Sequence, residues 1–158
     1  MLELYLIYYS HTGHTQTEIE KSVKEMRSLG HKVKCIALET IALFKLGSDV
    51  AEIKGIPDIS AYHQIILGSL IHGGRLSAPM RRFMNEYSSL LAHPWLLLSP
   101  IFSEKSGGQY KPSRRRAIAP WKKVGNIWEQ WMSSGSMVRK KAVKQAVETL
   151  IQLSNHIG

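Results

Sequence analysis

Residues 2–9, LELYLIYY, form a run of apolar and β-favouring residues that does not alternate between apolar and polar positions. A strand covered on both faces needs such a run, and strands of that kind belong to parallel sheets flanked by helices. The run breaks at SHTGHT. Helical spacing then begins at once, with Ile19, Val23 and Met26 on one face and Gly30 in SLGHK as the stop. A buried strand passing straight into an amphipathic helix narrows the choice to α/β folds.

The pattern repeats. Residues 31–38 read as a second strand, and residues 64–70 as a third buried strand ended by Gly73 and Gly74. Met80, Phe83, Met84, Tyr87 and Leu91 mark an amphipathic helix, followed by a strand near residues 95–102. Residues 39–61 are ambiguous: TIALFKLG is compatible with a short helix, and GIPDIS reads as a loop. Residues 103–123 look like a basic loop with room for a short helix. VGNIWEQWM is a weakly marked fifth strand, and Val143, Ala146, Val147, Leu150 and Ile151 mark a last helix. Alternation of this kind predicts one domain over residues 1–158, a three-layer αβα sandwich around a parallel sheet. Ligands of such sheets bind at the carboxyl ends of the strands, near the switch point in strand order.

A chain of 158 residues is the length of one domain, and a domain near this size buries roughly 70% of its unfolded surface. No apolar run approaches the ~18 residues that span a bilayer, the densest patch being WLLLSPIF. No basic n-region with a small-residue cleavage site opens the chain, so a cytoplasmic location is expected. The single cysteine, Cys35, excludes an internal disulfide, fits a reducing compartment, and in a strand is expected to be a buried, inert thiol. The formal net charge is +9. Residues 1–102 hold ten Lys/Arg against nine Asp/Glu, whereas residues 103–158 hold eleven against three. The positive excess therefore belongs to the last third.

The turn SHTGHT carries the clearest chemistry. A helix N-terminus presents unpaired N–H groups and partial positive charge, which together bind phosphate. Ser10, Thr12 and Thr15 add hydroxyl donors, and Gly13 allows close backbone approach. Plain helix capping needs only one such residue; four in six favour an anionic ligand. The turn is neither a G-x-G-x-x-G dinucleotide fingerprint nor a Walker A loop. His11 and His14 flank Gly13 and are expected to point into water.

SHTGHT resembles the S/T-x-T-G-x-T phosphate loop of the flavodoxin family. YHQIILGSLIHGGRLSAPMRRFM resembles that family's third strand, flavin loop and following helix, and LLLSPIFSEKSGG its fourth strand and second flavin loop. The resemblance covers residues 2–108 well and the remainder in outline. It implies strand order 2-1-3-4-5 and FMN as cofactor, with the phosphate held by Ser10, His11, Thr12, Gly13, His14 and Thr15. Ser69, Leu70, Ile71, His72, Gly73 and Gly74 would approach the isoalloxazine, with His72 where such chains often carry a stacking aromatic. Ser103, Gly107, Gly108 and Tyr110 would form the second flavin loop. Trp128 and Trp131, three apart, would share a face on a helix and read as packing residues; Arg75, Arg81 and Arg82 read as a solvated helix start.

No triad, metal cluster or catalytic carboxylate pair is recognisable, so flavin would carry any redox chemistry. The leading expectation is an FMN-binding redox protein transferring electrons to a protein or small-molecule acceptor, acidic or anionic in view of the basic last third. Two alternatives remain: an oxidoreductase resembling the protoporphyrinogen oxidase or quinone reductase type, and a flavodoxin fold without flavin acting as a binding module. Nucleic acid explains the charge, but no stacking motif supports it. Peripheral membrane contact and a homodimer stay open.

Overall fold

The structure is a computed structural model describing residues 1–45, 48, 50–56, 58–59, 64–69, 71–72, 75–87, 95–101, 127–133, 144–145, 147–148 and 151–152. Strand β1 (Glu3–Tyr8) leads through residues 9–13 to helix α1 (His14–Ser28) and strand β2 (Lys32–Ala37). Strand β3 (Ile65–Gly68) precedes two short strands, β4 (Ile71–His72) and β5 (Arg75–Leu76), then helix α2 (Ala78–Glu86). Strands β6 (Trp95–Ile101) and β7 (Ile127–Ser133) follow, and residues 144–145, 147–148 and 151–152 are helical.

The main sheet has five strands in the order β2-β1-β3-β6-β7, all parallel. With the small β4–β5 pair set aside, this is the expected 2-1-3-4-5 order, and VGNIWEQWM does supply the fifth strand. Trp128 and Trp131 therefore sit in a strand, and the helical condition under which they would share a face is not met.

β1 shows why its run carries no alternation. Leu4, Leu6 and Tyr8 join Ile19, Val23 and Met26 of α1 in one core, together with Val33, Ile66 and Val147. Tyr5, Ile7 and Tyr9 face the other way, into a core with Ile65, Leu67, Leu76 and the α2 residues Met80, Phe83 and Met84. Each face of the strand is buried against a different helix layer, so successive residues must all be apolar. Val147 places the last helical segment on the α1 side.

α1 ends where Gly30 suggested. Gly30 adopts φ +85°, its N–H donates to the carbonyl of Arg27 at 3.0 Å, and the His31 N–H donates to the carbonyl of Met26 at 3.2 Å. These two bonds make a Schellman ending, which satisfies carbonyls the helix would otherwise leave unpaired.

Two local expectations are corrected. Residues 40–44 of TIALFKLG are not helical: the segment leaving β2 turns back on itself, with Thr40 bridged antiparallel to Ile53. Ile41 N–H donates to the carbonyl of Glu52 at 3.0 Å and Lys54 N–H to that of Glu39 at 2.8 Å. Cross-pairing of the two arms satisfies backbone groups that a single isolated helical turn would leave to water. Cys35 is exposed rather than buried: β2 is the sheet's edge strand, and within it only Val33 is fully buried. Desolvation of the sulfur nonetheless raises the thiol pKa, opposed by Arg27 and reinforced by Glu20.

Candidate functional site

β1 pairs with β2 on one side and β3 on the other, so the strand order reverses at the carboxyl end of β1. Two of the predicted loops leave from this point. Tyr8 and Gly68 are register partners, and the Tyr9 N–H donates to the Gly68 carbonyl at 3.1 Å. Residues 10–15 and the segment beginning at Ser69 thus spring from adjacent strand ends. β6, the next strand across, ends at Ile101; the predicted second flavin loop with Ser103, Gly107, Gly108 and Tyr110 lies outside the described residues.

In the first loop Ser10 does the capping. Its Oγ accepts the N–H of Gly13 at 3.1 Å and of Gln16 at 3.2 Å. Gly13 stands at the N-terminus of α1 with φ +84° and ψ −14°, a left-handed conformation that costs a residue with a Cβ about 1–2 kcal/mol. Its carbonyl accepts the Thr17 N–H at 3.0 Å and the Thr17 hydroxyl at 3.1 Å. Thr12 is exposed and Thr15 is 1% exposed. Among the described residues, neither threonine hydroxyl, nor the N–H of either residue, has a partner. The Ser10 hydroxyl, having accepted two N–H groups, still has its own proton to donate. Capping therefore engages Ser10 and the Gly13 N–H and leaves the donors of Thr12 and Thr15 available.

His11 departs from expectation. It is exposed, but its Nδ1 lies 3.2 Å from the Tyr9 hydroxyl, and its ring meets that of Phe44 edge-on at 5.8 Å. Tyr9 and Phe44 are 5.7 Å apart between centroids. Burial raises the Tyr9 pKa, so the phenol keeps its proton at neutral pH. Phe44, which the sequence reading did not single out, thus fastens the 39–56 segment to the first loop. His14 is exposed.

The second loop is a hairpin. β4 and β5 pair antiparallel, Ile71 with Leu76 and His72 with Arg75. Leu70, Gly73 and Gly74 lie outside the described residues. The base of the hairpin is pinned by Ser69, fully buried, whose Oγ lies 3.0 Å from the Ser77 Oγ and 3.4 Å from the Ser77 N–H donor. A buried hydroxyl bonded across both ends of an excursion holds its two arms in register. Ser69 is therefore a structural pin at the mouth of the site.

The arginines divide. Arg82 pairs with Glu86 one helical turn on, an exposed contact of little energetic weight, and Arg75 is exposed. Arg81 is not a solvated helix residue: its Nε donates to the Leu76 carbonyl at 3.2 Å and its Nη2 to the Ser48 carbonyl at 3.0 Å. Among the described residues no group of three or more His, Cys, Asp or Glu could hold a metal ion, and no helix is long and apolar enough to cross a membrane.

No protein-family model matches the sequence, and no curated protein matches it either. Solved structures do. A flavoprotein in complex with FMN from Lactobacillus acidophilus NCFM superposes with TM-score 0.63 at 17% identity, over 89% of this chain and 98% of that one. The two-electron reduced flavodoxin of Megasphaera elsdenii gives TM-score 0.62 at 15% identity, over 92% and 98%. A flavodoxin from the domain Archaea gives 0.57 at 13% identity, over 97% and 99%. The chain has the flavodoxin-like fold.

Proposed function

We propose that this protein binds FMN at the carboxyl end of β1 and β3 and works as an electron-transfer flavoprotein. The observation that carries this reading is the loop at residues 10–15. There the Thr12 and Thr15 hydroxyls and N–H groups have no partner among the described residues, beside a left-handed Gly13 at the N-terminus of a 15-residue helix. A phosphate group offers oxygen acceptors to such donors, and the helix dipole adds attraction without a lysine. Chemically the residues present fit a phosphate monoester. The likeness to FMN-containing structures of the same fold supports FMN as its bearer. The hairpin from Ser69 to Ser77 would then flank the ring, with His72 at the position nearest in kind to a stacking aromatic.

Bound FMN would supply one- and two-electron redox chemistry. The chain's own residues would hold the phosphate, orient the ring through the hairpin, and set the surrounding charge. Residues 103–158 carry most of the +9 excess. Positive charge near the ring favours its reduced, anionic form, and a basic surface steers acidic or anionic partners. Screening over about 8 Å at physiological ionic strength restricts the first effect to nearby groups.

The test is titration of apoprotein with FMN, followed by quenching of flavin fluorescence. Stoichiometric binding is expected. Thr12→Glu places a carboxylate at an exposed loop position and should abolish binding without unfolding the protein; Thr15→Val removes one donor at nearly constant volume and should weaken it. Absence of binding at tens of micromolar FMN would overturn the proposal and leave the flavin-free binding module.

A further inference from the structure

We infer that Arg81 is a positioning residue, registering the β4–β5 hairpin against the phosphate loop through the 39–56 segment. The inference rests on the FMN reading for its functional meaning and on geometry alone for the coupling. Three separate parts of the chain meet at one guanidinium. Arg81 belongs to α2, its Nε donates to Leu76 at the end of the hairpin, and its Nη2 donates to Ser48 in the segment following β2. An arginine fork is rigid and planar, so two carbonyls bound by one guanidinium are fixed relative to each other.

The segment that carries Ser48 is tied at its other points to the far half of the site. Phe44 packs on Tyr9 and His11, at the start of the phosphate loop. The Ile56 N–H lies 3.5 Å from the Tyr87 hydroxyl at the end of α2, and the Tyr87 ring stacks on Phe83 at 4.9 Å. A continuous path of contacts therefore runs from His11 through Phe44 to Ser48, Arg81, Leu76 and the hairpin. The strand ends from which the two loops depart are joined by β1–β3 pairing and by the Tyr9 N–H to Gly68 carbonyl bond. Those links sit at the base of both loops. The 39–56 segment adds a further connection, and Arg81 is where it is clamped to the hairpin.

A ligand held at its phosphate by residues 10–15 and at its ring by the hairpin needs both loops in one fixed relation. Loss of the clamp should leave the phosphate loop intact and loosen the ring end. The experiment compares wild type, Arg81→Ala and Arg81→Lys, first as apoproteins by amide hydrogen exchange. Arg81→Ala should speed exchange in residues 48–56 and 71–77 together while β1 and the start of α1 keep their protection. Arg81→Lys, which can reach one carbonyl at a time, should fall between.

The same three proteins are then titrated with FMN. Arg81→Ala should bind about tenfold more weakly, within the roughly 5- to 150-fold range typical of coupled sites. Its visible circular dichroism and residual fluorescence should indicate a less ordered ring, and inorganic phosphate should compete equally well in all three. Unchanged exchange in either segment of Arg81→Ala overturns the coupling, whether or not FMN binds. Exchange that changes as expected, with FMN affinity and flavin spectra unaltered, overturns the positioning role. A wild type that fails to bind FMN counts against the proposed function alone, because the exchange arm still decides whether the clamp exists.

Discussion

Gly68 is the position where the packing leaves least room. A Cβ placed there would stand 2.6 Å from Ile19 Cδ1, 2.9 Å from Tyr8 Cβ and 3.2 Å from Ile19 Cγ1. Carbon atoms prefer about 3.5–4.0 Å, so Gly68→Ala demands close to an ångström of movement from two neighbours at once. Neither yields freely. Ile19 is fully buried between β1 and α1, and Tyr8 Cβ is carried by a central strand paired on both sides. Forcing one methyl into such a core costs about 1–3 kcal/mol, against about 0.4–1 kcal/mol regained from the stiffer unfolded chain. A net loss of about 1–2 kcal/mol follows, which in a chain of this length lowers the melting temperature by about 2–4 °C per kcal/mol. Urea and thermal denaturation read it directly.

Ile19→Val tests the larger part of the cause, since it deletes the Cδ1 atom nearest the added methyl while the contact with Tyr8 Cβ stays. Alone it should cost about 0.5–1.5 kcal/mol; combined with Gly68→Ala it should cost less than the sum of the two, a coupling on the order of 0.5–1 kcal/mol. Because Gly68 also accepts the Tyr9 N–H beside the phosphate loop, Gly68→Ala should weaken FMN binding, and the double variant should recover part of it. A Gly68→Ala protein as stable as wild type, or two strictly additive substitutions, would refute the packing argument.

Gly30→Ala should destabilise by about 1–2 kcal/mol from its left-handed backbone alone, because nothing lies within 4 Å of the added methyl; Gly30→Asn, which tolerates that conformation better, should lose less in the same melt. His31 accepts the Leu2 N–H through Nδ1 at 3.3 Å, and its pKa is lowered by desolvation and by the terminal ammonium. A folded-state pKa below the unfolded value means the unfolded chain binds the proton more readily. The stability this bond lends is thus present above about pH 6.5 and is lost as pH falls through the lowered value; denaturation midpoints from pH 7.5 to 5 should decline more in wild type than in His31→Gln. Redox titration of the FMN-loaded protein should give a potential above that of an acidic flavodoxin measured alongside at low salt, and an equal value would remove the electrostatic argument.

Much of the fold was legible because burial on two faces leaves a distinctive trace. β1 and β3 are written as apolar runs without alternation, and α1 shows both its stripe and its glycine stop. The loop at residues 10–15 was legible as the turn from a buried strand into a helix, which is where it stands between β1 and α1. Other features left no comparable trace. TIALFKLG has helix-compatible composition, but its conformation is decided by pairing with residues 52–54 and by Phe44 settling on Tyr9, both tertiary contacts. Cys35 was misjudged because strand membership says nothing about edge position, which depends on which strands pair. Arg81 looked like Arg82, its neighbour on the same helix turn; only the arrival of Ser48 from a distant segment separates a clamp from a solvated charge.

The burial of Val147 among residues of β1, β2, β3 and α1 bears on how the chain assembles as it is made. Synthesis proceeds at roughly 5–20 residues per second, and β1, α1 and β2 emerge early, in an order that lets them pair at once. The α2 side of the sheet can close soon afterwards, when Met80, Phe83 and Met84 follow β3. The α1 side cannot: its last apolar partner is added only after β6 and β7. One face of the nascent sheet therefore waits, partly uncovered, for the final helical segment, and that interval is when a growing chain of this design most needs shelter from its neighbours.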